Sequence, residues 1–335
     1  MDLKDIIFTK ALFGGSSGEE VPEWDEEVII EGESSNTGEW IGDGNTHLWI
    51  KIAAEGRMNV PLYFSQTVSE GVTIDWGDGS ALQTLSGTGN RKTAHTYASI
   101  GEYCITLDVA DGCTLGLGDN SSSNCVMGSS SNDGNRAYCN MLQKVEIGNG
   151  VTSIDNGSFS NCYSLANINI PNSVTSIGSQ AFRSCYALAN ISIPNSVTSI
   201  GTYAFSGCNT LTSFAIPTGV TEISDNAFAY CYSLGSVNIP NGVTRIGLMA
   251  YAYCYSLVNV TISSSVTSID TSGFARLTCL SKLRFEGTIP PTSNHSDNFS
   301  RLPTDCIISV PVGSLDAYKT ATNYPDPNTY TYVEE

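Results

Sequence analysis

Between Val151 and Glu286 the apolar and polar positions recur every 23 residues, six times over, with no insertion or deletion. Val151, Val174, Val197, Val220, Val243 and Val266 each open a V-T-x-I phrase. In step with them run an aromatic column (Phe159, Phe182, Phe205, Phe228, Tyr251, Phe274), a Leu column (Leu165, Leu188, Leu211, Leu234, Leu257, Leu280) and a column of Ile or Phe (Ile170, Ile193, Ile216, Ile239, Ile262, Phe285). Within a unit, Leu165 to Pro171 places Leu165, Ile168 and Ile170 inward and Asn167 and Asn169 outward. The two-residue alternation predicts a short strand. Pro171, like Pro194, Pro217 and Pro240, cannot donate to a ladder and ends it. After a turn at Asn172-Ser173, Val174 to Ile177 predicts a second extended segment. Gly178 reads as a sharp bend, and Ala181, Phe182 and Cys185 bring the chain back to Leu188. One such coil buries too few side chains to offset the entropy of ordering its backbone. The coils must therefore stack, and both ends of the stack must be closed.

Both closures are legible. Cys139, Leu142, Val145 and Ile147 stand 23 residues before Cys162, Leu165, Ile168 and Ile170, which marks a partial coil ahead of the six. After Glu286 the register is lost, and Pro290-Pro291 interrupts the chain. The apolar run Ile307 to Val310 then leads into Ser314-Leu315-Asp316-Ala317-Tyr318-Lys319, where Ser314 is a suitable N-cap for a short helix. A fixed period of this length with L-x-x-I-x-I spacing predicts a leucine-rich solenoid with one coil per repeat. Solenoids mostly bind along an extended face and seldom catalyse.

The phrase I-P-N-S-V-T-S-I-G-x-x-A-F-x-x-C-x-x-L, which starts at Ile170 and again at Ile193, resembles the BspA-like bacterial leucine-rich repeats. The ending V-P-V-G-S-L-D-A-Y-K at 310–319 is similar to the usual end of such arrays. The resemblance spans roughly residues 139–322. It implies a surface protein of a host-associated bacterium, engaged in adhesion to host or matrix proteins.

Ahead of the repeats, strand-like runs begin at His47 and Val60, and a third, Val72 to Asp75, enters the turn Trp76-Gly77-Asp78-Gly79-Ser80. His95-Thr96-Tyr97 and Gly101-Glu102-Tyr103 follow. The pair W-G-D-G-S and H-T-Y-x-x-x-G-E-Y resembles a PKD-type, Ig-like β-sandwich, which implies a spacer. The expected organisation is thus an acidic Gly/Ser-rich segment or linker at 1–46, a PKD-like β-sandwich at 47–112 and a connecting loop at 113–138. A leucine-rich repeat solenoid at 139–288 and a C-terminal cap at 289–335 complete it. The fold class is β-rich, a solenoid of 23-residue coils preceded by a sandwich.

Charge separates these parts. Residues 1–138 carry net −14, residues 139–288 zero and residues 289–335 −4, for a total of −18. An acidic front half argues against nucleic acid and anionic membrane surfaces as partners. No apolar run is long enough for a spanning helix, so membrane insertion is not expected.

Six of the 11 cysteines form one column: Cys139, Cys162, Cys185, Cys208, Cys231 and Cys254. Equivalent side chains of successive coils point the same way, so the column reads as a reduced, buried ladder. No C-x-x-C is present, and no metal or other cofactor is expected. Cys113 and Cys125, flanking a Ser/Asn-rich loop, are the best disulfide candidates. The three histidines, His47, His95 and His295, have no nucleophile placed beside them by any motif. His95 belongs to the sandwich motif as a packing residue. Asp75 and Asp78 fit a turn better than a cation site. With no G-x-S-x-G, H-E-x-x-H or Walker pattern, catalysis is not expected.

What remains is the outward face of the strands: Asn167, Asn190 and Asn259 in one column, Asn169 and Asn238 in the next, Lys282 and Arg284 at its end. Along its edge runs a tyrosine column, Tyr163, Tyr186, Tyr232 and Tyr255, broken at Asn209 and Thr278. Tyrosine offers rigid amphipathic area for a protein or glycan ligand. The competing reading is a solvated face whose repetition reflects duplication. The resemblance implies an extracellular or cell-surface location. The first residues, Met1 to Lys10, lack the basic start and long apolar core of a secretory signal, which leaves virion-associated and cytoplasmic locations open. The start M-D-L-K-D-I-I-F-T-K-A-L-F-G-G is similar to that of some prophage tail-associated proteins, so a receptor-binding virion component is the alternative function.

Overall fold

The computed structural model describes residues 40–55, 58–118, 124–129 and 136–335, which fall in one compact unit spanning Ser34–Glu335. Up to residue 39, the acidic segment expected over 1–46 lies outside the described residues.

Among the described residues up to 118, the strands are β1 (Thr46–Ile52), β2 (Asn59–Gln66), β3 (Val72–Asp75), β4 (Gln83–Thr84), β5 (Gly89–Thr96), β6 (Gly101–Val109) and β7 (Leu115–Leu117). They divide between two sheets, one with β1, β6, β3 and β4 in that order, the other with β5, β2 and β7. Trp76 and Tyr97 are buried among them, and the Tyr97 hydroxyl donates to the Trp76 carbonyl at 2.9 Å. His95 stacks on Trp76 at 5.0 Å between centroids and holds Asp78 at 2.7 Å. Asp75 and Asp78 accept from the backbone N–H groups of Gly77 and Ser80, each capping its own turn.

The region expected as a connecting loop, 113–138, contains β7, a hairpin of β8 (Asn124–Cys125) and β9 (Gly128–Ser129), and a one-turn helix, Arg136–Cys139. The hairpin is tied in two directions: Tyr63 N–H donates to the Val126 carbonyl, and Val126 N–H donates to Ser158. This packing corrects the cysteine pairing. Cys125 is bonded to Cys139, and Cys113 is free. The hairpin and the one-turn helix converge on the open end of the array, which takes Cys139 out of the reduced ladder.

That end is closed by β1. β1 runs antiparallel to β10 (Leu142–Glu146), the strand of the partial coil, and β10 pairs in parallel with Asn167–Asn169 of the first full coil. Leu48 faces Val145, and Val145 faces Ile168. The front sheet and the solenoid sheet are therefore one six-stranded sheet, and the edge that a stack of coils would expose is covered. At the far end, Ile307–Val310 extends the ladder beyond Lys282–Phe285, and Thr331–Glu334 extends it again. The helix Leu315–Thr320 packs Tyr318 beneath, with its hydroxyl donating to Gly287 at 2.7 Å. Ser314 precedes that helix but makes no side-chain cap, because its hydroxyl donates instead to Pro311 at 2.6 Å.

Each coil contributes to three ladders. The V-T-x-I segments pair in parallel, Ser153–Ile154 with Ser176–Ile177 and so on. The N-I-N-I segments form the second ladder. The third, on the side of the aromatic column, is not a strand. Gly157, Phe159 and Asn161 donate N–H to Ser179, Ala181 and Arg183 of the next coil at 2.8–2.9 Å, while Ser158, Ser160 and Cys162 donate to carbonyls three residues earlier. Every second N–H can cross between coils because two positions per coil are left-handed. One column is Gly157, Gln180, Tyr203, Asn226, Met249 and Ser272; the other is Asn161, Ser184, Gly207, Tyr230, Tyr253 and Arg276. Left-handed backbone costs a non-glycine residue roughly 1–2 kcal/mol, offset here by inter-coil hydrogen bonds.

Inside, the aromatic column stacks ring on ring from Phe159 to Phe274, at 5.1–5.6 Å between centroids. The thiols of Cys185, Cys208, Cys231 and Cys254 donate to the carbonyls of Phe159, Phe182, Phe205 and Phe228 at 3.1–3.2 Å, which explains a small, weakly donating residue at that column. Gly178, at the corner after Ser176–Ile177, is not left-handed. It is needed for close approach, since a Cβ there would lie 2.6 Å from the Asn156 nitrogen.

The second ladder is interrupted. Segments 190–193 and 213–216 form no strand, and the ladder resumes at Ser236–Ile239. The first ladder also parts, between Ser199–Ile200 and Glu222–Ile223. The third continues across the opening through Tyr203, Phe205 and Gly207. Phe214 supplies the reason. It occupies the inward column held elsewhere by Ile168, Ile191, Val237, Val260 and Leu283. Its larger ring wedges against Phe205 and Phe228, at 4.9 and 4.6 Å. The backbone carrying it is held off, and Ile191, Ile193 and Ile216 are only half-buried.

Candidate functional site

Asn167, Asn169, Asn190, Asn238 and Asn259 lie on the outer surface, all exposed. Asn167 and Asn169 stand opposite Lys144 and Glu146 of β10, and Asn259 stands between Ser236 and Lys282. The interruption divides this face. Asn190 lies in the unpaired stretch, where Thr212 donates to its side-chain oxygen at 3.2 Å. Asn238 lines a cavity of about 340 Å³, together with Ser213, Phe214, Ala215, Ile216, Ser236 and Pro240. The five asparagines are therefore not one continuous surface.

The tyrosines are more tightly grouped. Tyr163 stacks on Tyr186 at 4.7 Å and Tyr232 on Tyr255 at 5.4 Å, each pair nearly parallel. Asn209, whose amide faces the carbonyls of Gly207 and Tyr230, separates the two pairs. Sequence reasoning missed a second stack beside the latter pair: Tyr230 on Tyr253 at 4.7 Å. Tyr230 meets Tyr232 edge-on at 6.4 Å, and Tyr253 meets Tyr255 at 6.2 Å, which closes a quartet. The signal was present in Tyr230-Cys231-Tyr232 and Tyr253-Cys254-Tyr255. The intervening cysteine points inward and leaves two outward tyrosines per coil.

The next residue of the left-handed column, Arg276, lies over the Tyr253 ring at 5.0 Å. Arg301, also left-handed, follows it in the cap, where Arg276 N–H donates to Ser300. Tyr232 is 40% exposed, yet partial burial pushes its hydroxyl up to about 12. Burial raises Tyr255 too, opposed by the charges of Arg276 and Arg301. Both shifts keep Tyr232 and Tyr255 as neutral phenols at neutral pH, beside the side chains of Arg276 and Arg301.

Cys125, Cys139 and Cys162 bring three buried sulphurs within 4.8 Å of one another. The Cys125–Cys139 bond occupies two of them, so the trio does not offer three thiolates to a metal. No helix among the described residues is long and apolar enough to cross a membrane.

The parallel coils, the inward Leu and Ile columns and the capped ends define a leucine-rich repeat solenoid. Residues 134–257 and 177–300 each match the BspA type leucine rich repeat region, in six copies, and the repeat region of this chain belongs to that family. Its members are repeat proteins, typically non-enzymatic and surface-associated, that bind proteins or other ligands. Among solved structures, the chain is similar to a leucine-rich repeat protein of T. pallidum, with 31% identity and a TM-score of 0.40, over 42% of this chain and 66% of that one. It is also similar to a leucine-rich cell surface protein of Faecalibacterium prausnitzii, with 30% identity and a TM-score of 0.36, over 60% and 62%. A leucine-rich repeat protein of Eubacterium ventriosum gives 23% and 0.42, over 48% and 42%. The chain covers less than two thirds of each of these proteins. No curated protein matches it.

Proposed function

We propose that this chain is a non-catalytic adhesion protein of the bacterial surface. In this reading its repeat array holds a protein or glycan ligand along the tyrosine edge. The observation that carries it is the grouping of Tyr163 with Tyr186 and of Tyr232 with Tyr255 into stacked, partly exposed pairs on a solenoid whose other aromatic column is fully buried. Stacked tyrosines lose little conformational entropy on binding and offer both apolar area and hydroxyls. Asn167, Asn169, Asn190, Asn238 and Asn259 serve as the polar surround, and the strands before the repeats act as cap and spacer. The test is a screen of the full chain against immobilised glycans and matrix proteins, repeated with a Tyr186→Ala/Tyr232→Ala variant. Loss of aromatic anchors weakens binding by about thirtyfold. A captured ligand held equally well by the variant would refute the assignment to this edge.

A further inference from the structure

We propose that the quartet of Tyr230, Tyr232, Tyr253 and Tyr255, with Arg276 and Arg301 beside it, takes an acidic saccharide, a sugar chain bearing carboxylate or sulfate groups. The inference rests on the binding function proposed above and narrows it to one ligand class and one end of the array.

Charge is the first argument. The chain carries net −18, so cations are scarce, and two of the six on residues 139–288 are already held in ion pairs. Arg245 reaches Glu222, Asp225 and Asp270, and Lys282 pairs with Glu335. Among the described residues, neither Arg276 nor Arg301 lies within 4.0 Å of a carboxylate.

Register is the second. The Arg276 N–H bond to Ser300 places Arg301 one coil beyond Arg276 in the same column. Like charges directly opposed on neighbouring rungs of a ladder repel, and an anion held between them removes that penalty. Arg276 is already oriented by the Tyr253 ring beneath it. Guanidinium groups bind carboxylate and sulfate in a forked geometry that lysine does not reproduce.

The tyrosines supply the remainder. Their two stacks advance about 5 Å per coil, about the length of one pyranose unit, so successive sugars of a chain meet equivalent phenols. Sugar C–H faces pack on aromatic area, and sugar hydroxyls pair with phenol hydroxyls.

The experiment is calorimetric titration of the full chain at low and near-physiological ionic strength. Heparin hexasaccharide, hyaluronan hexasaccharide and sialyllactose are the acidic probes, maltohexaose the neutral one and polyglutamate the non-sugar anion. At least one acidic sugar should bind more tightly than maltohexaose and polyglutamate. An Arg276→Gln/Arg301→Gln variant, with an unchanged melting curve, should weaken it by about tenfold or more. Tyr232→Ala should weaken it as well. Absence of binding to all three acidic sugars, equal competition by polyglutamate, or an unaffected arginine variant would overturn the inference. A neutral glycan or protein ligand lost in Tyr186→Ala/Tyr232→Ala but indifferent to the arginines would overturn it while leaving the broader binding function standing.

Discussion

The ring of Tyr251 lies parallel to that of Phe228, 5.2 Å away, within the aromatic column of the core, yet its hydroxyl is buried with no hydrogen-bond partner among the described residues. Every other coil has phenylalanine at this position. An orphaned buried hydroxyl costs about 1–3 kcal/mol. Tyr251→Phe should therefore stabilise the chain by about 1 kcal/mol or more, measured as a higher denaturant midpoint at constant slope. A lower midpoint would mean that the hydroxyl has a partner.

Phe214 makes a second prediction. If its size holds the strand face open, Phe214→Val should let 190–193 and 213–216 rejoin the ladder. Their amides should then gain protection in hydrogen exchange relative to the parent chain, while Ser236–Ile239 stays unchanged. Unaltered exchange in the variant would show that the interruption has another cause.

These two sites mark what the sequence did and did not make legible. The Val, Phe, Leu and Ile columns are visible because each inward residue recurs at one spacing, and all but the strands beside Phe214 occupy the depth that the pattern implies. Phe214 itself is visible as a substitution in its column. Its consequence is not, because wedging between Phe205 and Phe228 depends on the distance between coils. The left-handed columns are hidden for a different reason: Tyr230, Tyr253 and Arg276 carry no turn signature, and the inter-coil hydrogen bonds override local preference. The pairing of β1 with β10 joins residues roughly a hundred positions apart, and nothing local announces it. Of the candidate site, the Tyr163 column was readable as a repeat, whereas the quartet needed the cysteine between its tyrosines to be seen pointing inward.

Gly201 tests the close approach of coils. A Cβ there would lie 2.5 Å from the Ser179 nitrogen and 2.6 Å from the Gly178 carbonyl carbon, both backbone atoms that cannot swing aside. Gly201→Ala should destabilise by about 1–3 kcal/mol in a urea titration. A neutral result would show that the first ladder gives way cheaply at the coil beside the interruption.

The cysteine ladder sets a pH limit. Burial pushes Cys208 and Cys254 up to about 12, and raises Cys185 and Cys231 well above the usual thiol range. An unfolded thiol ionises near ~8.5. Because the folded values are raised, this contribution is fully present below about pH 8.5 and is lost as pH climbs toward 12. Stability measured by urea should fall between pH about 8 and about 10, by up to ~2 kcal/mol for each ladder thiol. The slope should be shallower in Cys208→Ala. A pH-independent midpoint over that interval would contradict the burial of the ladder.

A ligand seated on the aromatic edge of the array would shield the outward tyrosines from solvent. Hydroxyl-radical footprinting of the full chain, with and without a ligand captured in the glycan and matrix-protein screen, measures that shielding. Tyr232 and Tyr255 should lose reactivity in the complex, while Leu82 and Ile100, exposed on the strands ahead of the repeats, keep theirs. Protection confined to residues 46–118, with Tyr232 and Tyr255 as reactive as in the free chain, would contradict binding at that edge.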